Sequence, residues 1–127
     1  MSRIISAAAV GETGISNVGA GQVAPVIYVD DVAESMVRLC FAENLALPVY
    51  VGPNTMATVQ DAADIVRRLI PGADIRFAED AVSYPTIKKV NGARFEAAVG
   101  YKPPSFEQRV RDHINEARAE RQMPPLA

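Results

Sequence analysis

Three sets of residues have types and spacings that could do chemistry. Gly19-Ala20-Gly21-Gln22-Val23-Ala24 spells G-x-G-x-x-A. That spacing cradles a dinucleotide pyrophosphate when a strand precedes it and a helix N-terminus follows. Here Pro25 and the β-branched and aromatic run Val26-Ile27-Tyr28-Val29 come next, so a strand follows and the phosphate meets no helix. The stretch reads as a turn. Tyr84-Pro85-Thr86-Ile87-Lys88 spells Y-x-x-x-K, in which a helix sets a lysine beside a tyrosine to lower its pKa and position a proton donor. Pro85 turns Tyr84 away from helical geometry, so the segment reads as a loop with an exposed lysine. The third set is His113, Cys40 and Asp30-Asp31. With one histidine and one cysteine in the chain, any Ser-His or Cys-His chemistry must run through His113. His113 sits beside the apolar face of the last helical pattern and reads as a half-buried imidazole. Cys40 falls in an apolar stripe and reads as a small hydrophobe. Asp31 reads as a helix cap, and Asp30 alone cannot hold a metal. No residue is assigned as catalytic, cofactor-binding or metal-ligating.

Composition narrows the classes further. The chain has 127 residues, 49% of them hydrophobic and 22% charged, which suits one soluble domain over residues 1–127. Thirteen basic against 15 acidic residues give a net charge of −2, which argues against a nucleic-acid or anionic-lipid partner. One cysteine excludes an internal disulfide framework and a cysteine-rich zinc site. No run is long and apolar enough for a membrane span, and the N-terminus lacks a convincing leader, so a cytoplasmic protein is expected.

The elements that must position these residues follow from periodicity and punctuation. Ser2 is placed to cap a helix over 3–10, closed by Gly11. Strands are expected at Ile15–Val18, Val26–Val29, Pro48–Val51 and Asp74–Phe77. Asp31 and Glu34 have capping-box spacing, opening a helix whose stripe of Val32, Met36, Leu39 and Cys40, widened by Val37 and Phe41, predicts burial. Thr58 and Asp61 open a helix with an apolar 0-3-4-7 pattern, stopped by Pro71-Gly72. Residues 79–91 read as a loop. Asn91 opens a short helix ending at Gly100, and Ser105 with Gln108 opens the last one. About four helices alternate with three or four short strands. The fold class is α/β or α+β, with too few strands for a complete doubly wound nucleotide fold.

The ordered set of these segments resembles a family. Val26-Ile27-Tyr28-Val29-Asp30-Asp31-Val32-Ala33-Glu34 is similar to the strand-to-helix junction of extended short-chain dehydrogenase/reductases, the NAD-dependent epimerase/dehydratase group. Pro48–Gly52 resembles the "V-Y-N-I-G" strand of that group. The stretch from Asn91 to Pro103 resembles its "D-x-S-K-A-R-E-E-L-G-W/Y-K-P" signature, and the closing helix follows.

The resemblance implies the C-terminal, substrate-binding portion without the Rossmann half. The family's glycine loop and catalytic Ser/Thr-Tyr-Lys set lie in the half that precedes it. The chain is then expected to bind no cofactor alone, with NAD or NADP implied for a full-length relative. It is expected to be inactive alone, with a separate Rossmann half or a second copy as partner. A small-molecule ligand is implied, with Asn17, Gln22 and Tyr28 as its contacts. Nucleotide-sugar members carry an arginine before the junction strand and another ahead of the closing signature. Here Ala24-Pro25-Val26 stand at the first place, and residues 79–85 contain no arginine. Arginine is the natural diphosphate clamp, so the substrate stays open. Two other readings remain: a free-standing non-catalytic ligand-binding or dimerisation module, and a small enzyme using Tyr84 and Lys88 or His113.

Overall fold

The computed structural model describes residues 1–87 and 89–126. Among these, five helices and four short strands run in the order α1 (Ser2–Ala9), β1 (Gly14–Val18), β2 (Val23–Val26), α2 (Val29–Phe41), β3 (Thr55–Thr58), α3 (Val59–Leu69), β4 (Ile75–Val82), α4 (Ala93–Val99) and α5 (Phe106–Glu120). The strands form two separate pairs. β1 runs parallel to β4, and β2 runs antiparallel to β3. The result is a small mixed α/β fold without a Rossmann sheet, as the strand count predicts.

The core is made by three helices and one strand. Ile4, Ile5, Ala8 and Ala9 of α1 meet Val59, Ala62, Ala63 and Val66 of α3 and Val110, Ile114 and Ala117 of α5, with Ile75 of β4 beneath. The small residues on α1 and α3 let the helices approach closely. Gly14 is required where β1 starts against α1, because a Cβ there would stand 2.8 Å from the Ile4 carbonyl oxygen. The α3 periodicity holds fully, and its capping box is complete. The Asp61 amide donates to Thr58 Oγ1 and the Thr58 amide to the Asp61 carboxylate. Gly100 closes α4 in the left-handed conformation, φ 64°.

Several expectations fail, each for a physical reason. The N-cap of α1 is Met1, with no side-chain cap from Ser2. The second strand ends at Val26, where one was expected to begin. Tyr28 is the N-cap of α2 and Val29 its first residue, because the β2–β3 pairing is used up at Val26↔Thr55. Asp31 therefore lies inside α2 and caps nothing. Its side chain is 2% exposed, and no capping box with Glu34 forms, since Glu34 instead pairs with Arg38.

The apolar stripe of α2 is not covered. Met36 is 62% and Phe41 83% exposed, Val32 and Val37 are exposed with them, and Cys40 lies on the surface. The buried residues of this helix are Asp31 and Ser35. Pro48–Val51 forms no strand, because no strand among the described residues lies alongside to pair with it, and Val49 is 76% exposed. β4 extends to Val82, four residues into the expected loop. Asn91 Oδ1 does accept the Ala93 amide, with Gly92 as the N-cap of α4. Ser105 caps α5 through the Gln108 amide, but the Gln108 side chain turns to Asp112 and leaves the box half made.

Candidate functional site

The site grows from the C-terminal end of β2, where the chain turns into α2. Asp31, in the first turn of α2, is buried and must be paired, because an isolated buried carboxylate is far too costly. Arg109 of α5 supplies the pair. Its Nε donates to Asp31 Oδ2 at 3.0 Å, and its Nη2 donates to Oδ1. The Tyr101 hydroxyl, from the turn after α4, donates to the same Oδ1. Arg109 Nη1 reaches Asp112 at 2.7 Å, and the guanidinium carbon lies 5.1 Å from the centre of the Tyr28 ring. Arg109 is thus held by two carboxylates, a phenol and a ring face, and its pKa is raised further by the Asp31 bond. This cluster locks α2, the α4–α5 turn and α5 together.

Tyr28 also meets His113 edge to face, with ring centroids 6.4 Å apart. The Tyr28 hydroxyl is buried without a hydrogen-bond partner, close to the Glu116 carboxylate. Burial, and then that carboxylate, push its pKa above the usual phenol value. Tyr101 is raised as well, by burial and by its bond to Asp31.

His113 is half-buried, as its sequence position predicts, and its Nε2 lies 2.8 Å from Ser6 Oγ on α1. A serine within hydrogen-bond reach of a histidine is the first requirement for nucleophilic catalysis. The rest is missing among the described residues. No carboxylate is hydrogen-bonded to the other ring nitrogen, and Ser6 lies mid-helix, where neighbouring amides are consumed by helical bonds. The pair serves as a clamp between α1 and α5.

Between these elements lies a cavity of about 380 Å³. It is walled by the start of α1, the run Pro25–Tyr28, residues 53–55, Pro103-Pro104 and one face of α5, with Arg109 and His113 at its edge. Asn54 lines it. The Asn54 side-chain amide donates to the Gly52 carbonyl, and its Oδ1 is buried without a partner. Among the described residues no group of three or more metal-ligating side chains is gathered anywhere.

The three expected ligand contacts are dispersed. Tyr28 lines the cavity. Asn17 sits on the surface of β1 at an irregularity in the β1–β4 register, where Ser16 satisfies the Val18 backbone with its own hydroxyl. Gln22 pins the β1–β2 turn to the segment after β4, accepting from the Tyr84 amide at 2.6 Å and donating to the Tyr84 carbonyl. The G-x-G-x-x-A stretch is a turn running into β2, with the Gln22 amide closing on the Gly19 carbonyl. Tyr84 is exposed and non-helical, and Lys88 lies outside the described residues. Sequence reasoning missed Arg109, Tyr101 and Asn54. The available signal was the spacing of Asp31 and Ser35, two short polar residues one turn apart on the side of the helix away from the apolar stripe.

No protein-family model matches the chain, and no curated protein does. Solved structures do. L-threonine 3-dehydrogenase from Trypanosoma brucei superposes with a TM-score of 0.76 at 15% identity, over 98% of this chain and 41% of that one. The GalE-like L-threonine dehydrogenase from Cupriavidus necator gives 0.71 at 21% identity, over 89% and 39%. UDP-glucuronic acid 4-epimerase from Bacillus cereus, solved with UDP-glucuronic acid and NAD, gives 0.74 at 12% identity, over 93% and 39%. The fold is that of part of a GalE-like dehydrogenase or epimerase, and the chain spans about 40% of the structures it matches.

Proposed function

We propose that this chain is the substrate-binding portion of an NAD-dependent epimerase/dehydratase-like oxidoreductase, and that it has no oxidoreductase activity without a Rossmann half. The observation that carries this reading is the asymmetry of the matches: nearly all of this chain, but only about two-fifths of each neighbour. The outward apolar face of α2 and the exposed Val49 and Val51, which lie in no strand, support it, since both suit cover by a further body of protein. The absence of arginine at 24–26 and 79–85 disfavours a nucleotide diphospho-sugar as ligand.

The test is calorimetric. Titration of the isolated chain with NAD and with NADP is expected to give no measurable binding, because the Gly19–Ala24 stretch runs into β2 and, among the described residues, no glycine loop is backed by a helix N-terminus. Micromolar affinity for either cofactor would sink the reading. A Rossmann half encoded in frame ahead of Met1, or beside it, would strengthen it.

A second reading has its own support. The closed core of α1, α3, α5 and β4 is built entirely from this chain, which suits a free-standing ligand-binding or dimerisation module. A stable monomer that unfolds cooperatively and binds a small molecule would favour that module.

A further inference from the structure

Residues 29–51 are a helix and a strand-like segment without a sheet. Along α2, Val29, Val32, Ala33, Met36, Val37, Cys40 and Phe41 follow the spacing 0-3-4-7-8-11-12, and all of them are exposed. A coiled-coil seam uses only the a and d positions of a heptad. This stripe is wider, the kind a helix lays over a broad apolar layer. The buried residues of α2, Asp31 and Ser35, lie on its other side. A short connection, 42–47, then leads into 48–51, where exposed Val49 and Val51 alternate with Tyr50. Among the described residues, the amides of Val49, Tyr50 and Val51 make no hydrogen bond. Helix, short connection and strand is the repeating step of a parallel sheet, whose strands are joined by helices that cover its faces.

We propose that this unit docks on the parallel sheet of a Rossmann body, with 48–51 added as a strand at the sheet's edge and the stripe of α2 laid on one face. The inference rests on the reading above that a Rossmann half is missing, and adds the surface and the mode of contact. The occupant follows from what has no counterpart here. Each structural neighbour is matched over 39–41% of its length, so about three-fifths of each is unmatched. A parallel sheet in that remainder supplies a hydrogen-bond ladder for 48–51 and an apolar layer for α2 together. A second copy of this chain can bury the helix stripe. It offers no sheet of more than two strands among the described residues.

A chimera tests this: the unmatched part of the Bacillus cereus UDP-glucuronic acid 4-epimerase, solved with NAD, joined ahead of Met1. Hydrogen exchange and iodoacetamide labelling of Cys40 are compared with the isolated chain, at a concentration where light scattering gives a monomer. In the NAD-bound chimera, exchange at 49–51 and labelling of Cys40 should each slow by at least about tenfold. Val49→Pro, which removes an amide from the ladder, should return 50–51 to the isolated rate and leave the urea midpoint of the isolated chain unchanged. Met36→Glu with Phe41→Ser should restore Cys40 labelling. The inference is overturned if the chimera holds NAD while either segment stays as open as in the isolated chain. It also fails if a dimer of the isolated chain protects 49–51 and Cys40 as well as the chimera does, which assigns the face to a second copy. A chimera that holds no NAD, where the parent enzyme holds it, counts against it too, because the unit would not be completing that sheet. None of these outcomes depends on cofactor binding by the isolated chain, so the inference and the proposed function fail separately.

Discussion

A single carboxylate organises the middle of the molecule. Asp31 is buried to 2% exposure and satisfied by Arg109 and Tyr101, so removing its partner exposes the full cost of an unpaired buried charge. Arg109→Ala is expected to lower stability by about 3 kcal/mol in urea denaturation, well above the ~1 kcal/mol of a lost helix cap. The double variant Asp31→Leu with Arg109→Met should recover most of the loss, since an apolar pair of similar volume carries no desolvation cost. If Arg109→Ala left the midpoint unchanged, Asp31 would not be buried as described. The phenols make a second case. Tyr28 and Tyr101 both have raised pKa values, through burial first and nearby carboxylates second. A raised acid pKa means the folded state holds its proton longer. Stability is therefore fully present below the ordinary tyrosine value of about 10, and it is lost as pH rises through the folded-state values. Ultraviolet difference absorbance should resolve a late-ionising class of tyrosine in the folded chain, and urea midpoints should fall only above about pH 10.

Helices differ here in how locally they are specified. α3 carries its own instructions: a complete capping box, an apolar stripe that is buried, and arginines in its last turn where the helix dipole favours cations. Thr58→Ala should cost about 1 kcal/mol, read as a lower urea midpoint, because the Asp61 amide loses its acceptor. The Asp61 carboxyl is held below its usual range by the Thr58 amide and hydroxyl, so this cap weakens only as pH falls through that lowered value. α2 is the opposite case. It has the periodicity of a buried helix, but its described contacts run through its polar side, by Asp31 and Ser35. Residues 48–51 have strand composition and join no strand among the described residues. Both misreadings have one cause: periodicity reports that a face is suited to burial and cannot report whether a partner is there.

At the scale of the whole chain, the apolar residues on α2 are the largest departure from an ordinary monomer surface. Val29, Met36, Val37 and Phe41 lie in the open with Val49 and Val51. Such a face promotes association, and a two-fold dimer is the commonest closed form. Light scattering of the isolated chain is expected to show mass rising with concentration toward a dimer. Met36→Glu with Phe41→Ser should restore the monomer and move the urea midpoint by no more than about 0.5 kcal/mol, because neither side chain is packed. A monodisperse monomer at every concentration would reject association and favour a self-contained module.

What could be read from residues alone was whatever depends on neighbours in sequence. The α3 box, the Gly100 stop, the Ser105 cap, the turn at 19–22 and the mixed α/β class are settled within a few residues, by local hydrogen bonds and steric limits on the backbone. Much of the site was out of reach, because it joins positions far apart: Asp31 with Arg109, Tyr101 with Asp31, Ser6 with His113. Whether Asp31 is a solvated cap or a buried ion depends on where α5 lies across α2, and no local pattern encodes that crossing. Tertiary packing also decided which apolar faces were covered. The core closed over α1, α3 and α5, and α2 was left facing outward, because burial requires a second surface as well as an apolar first one.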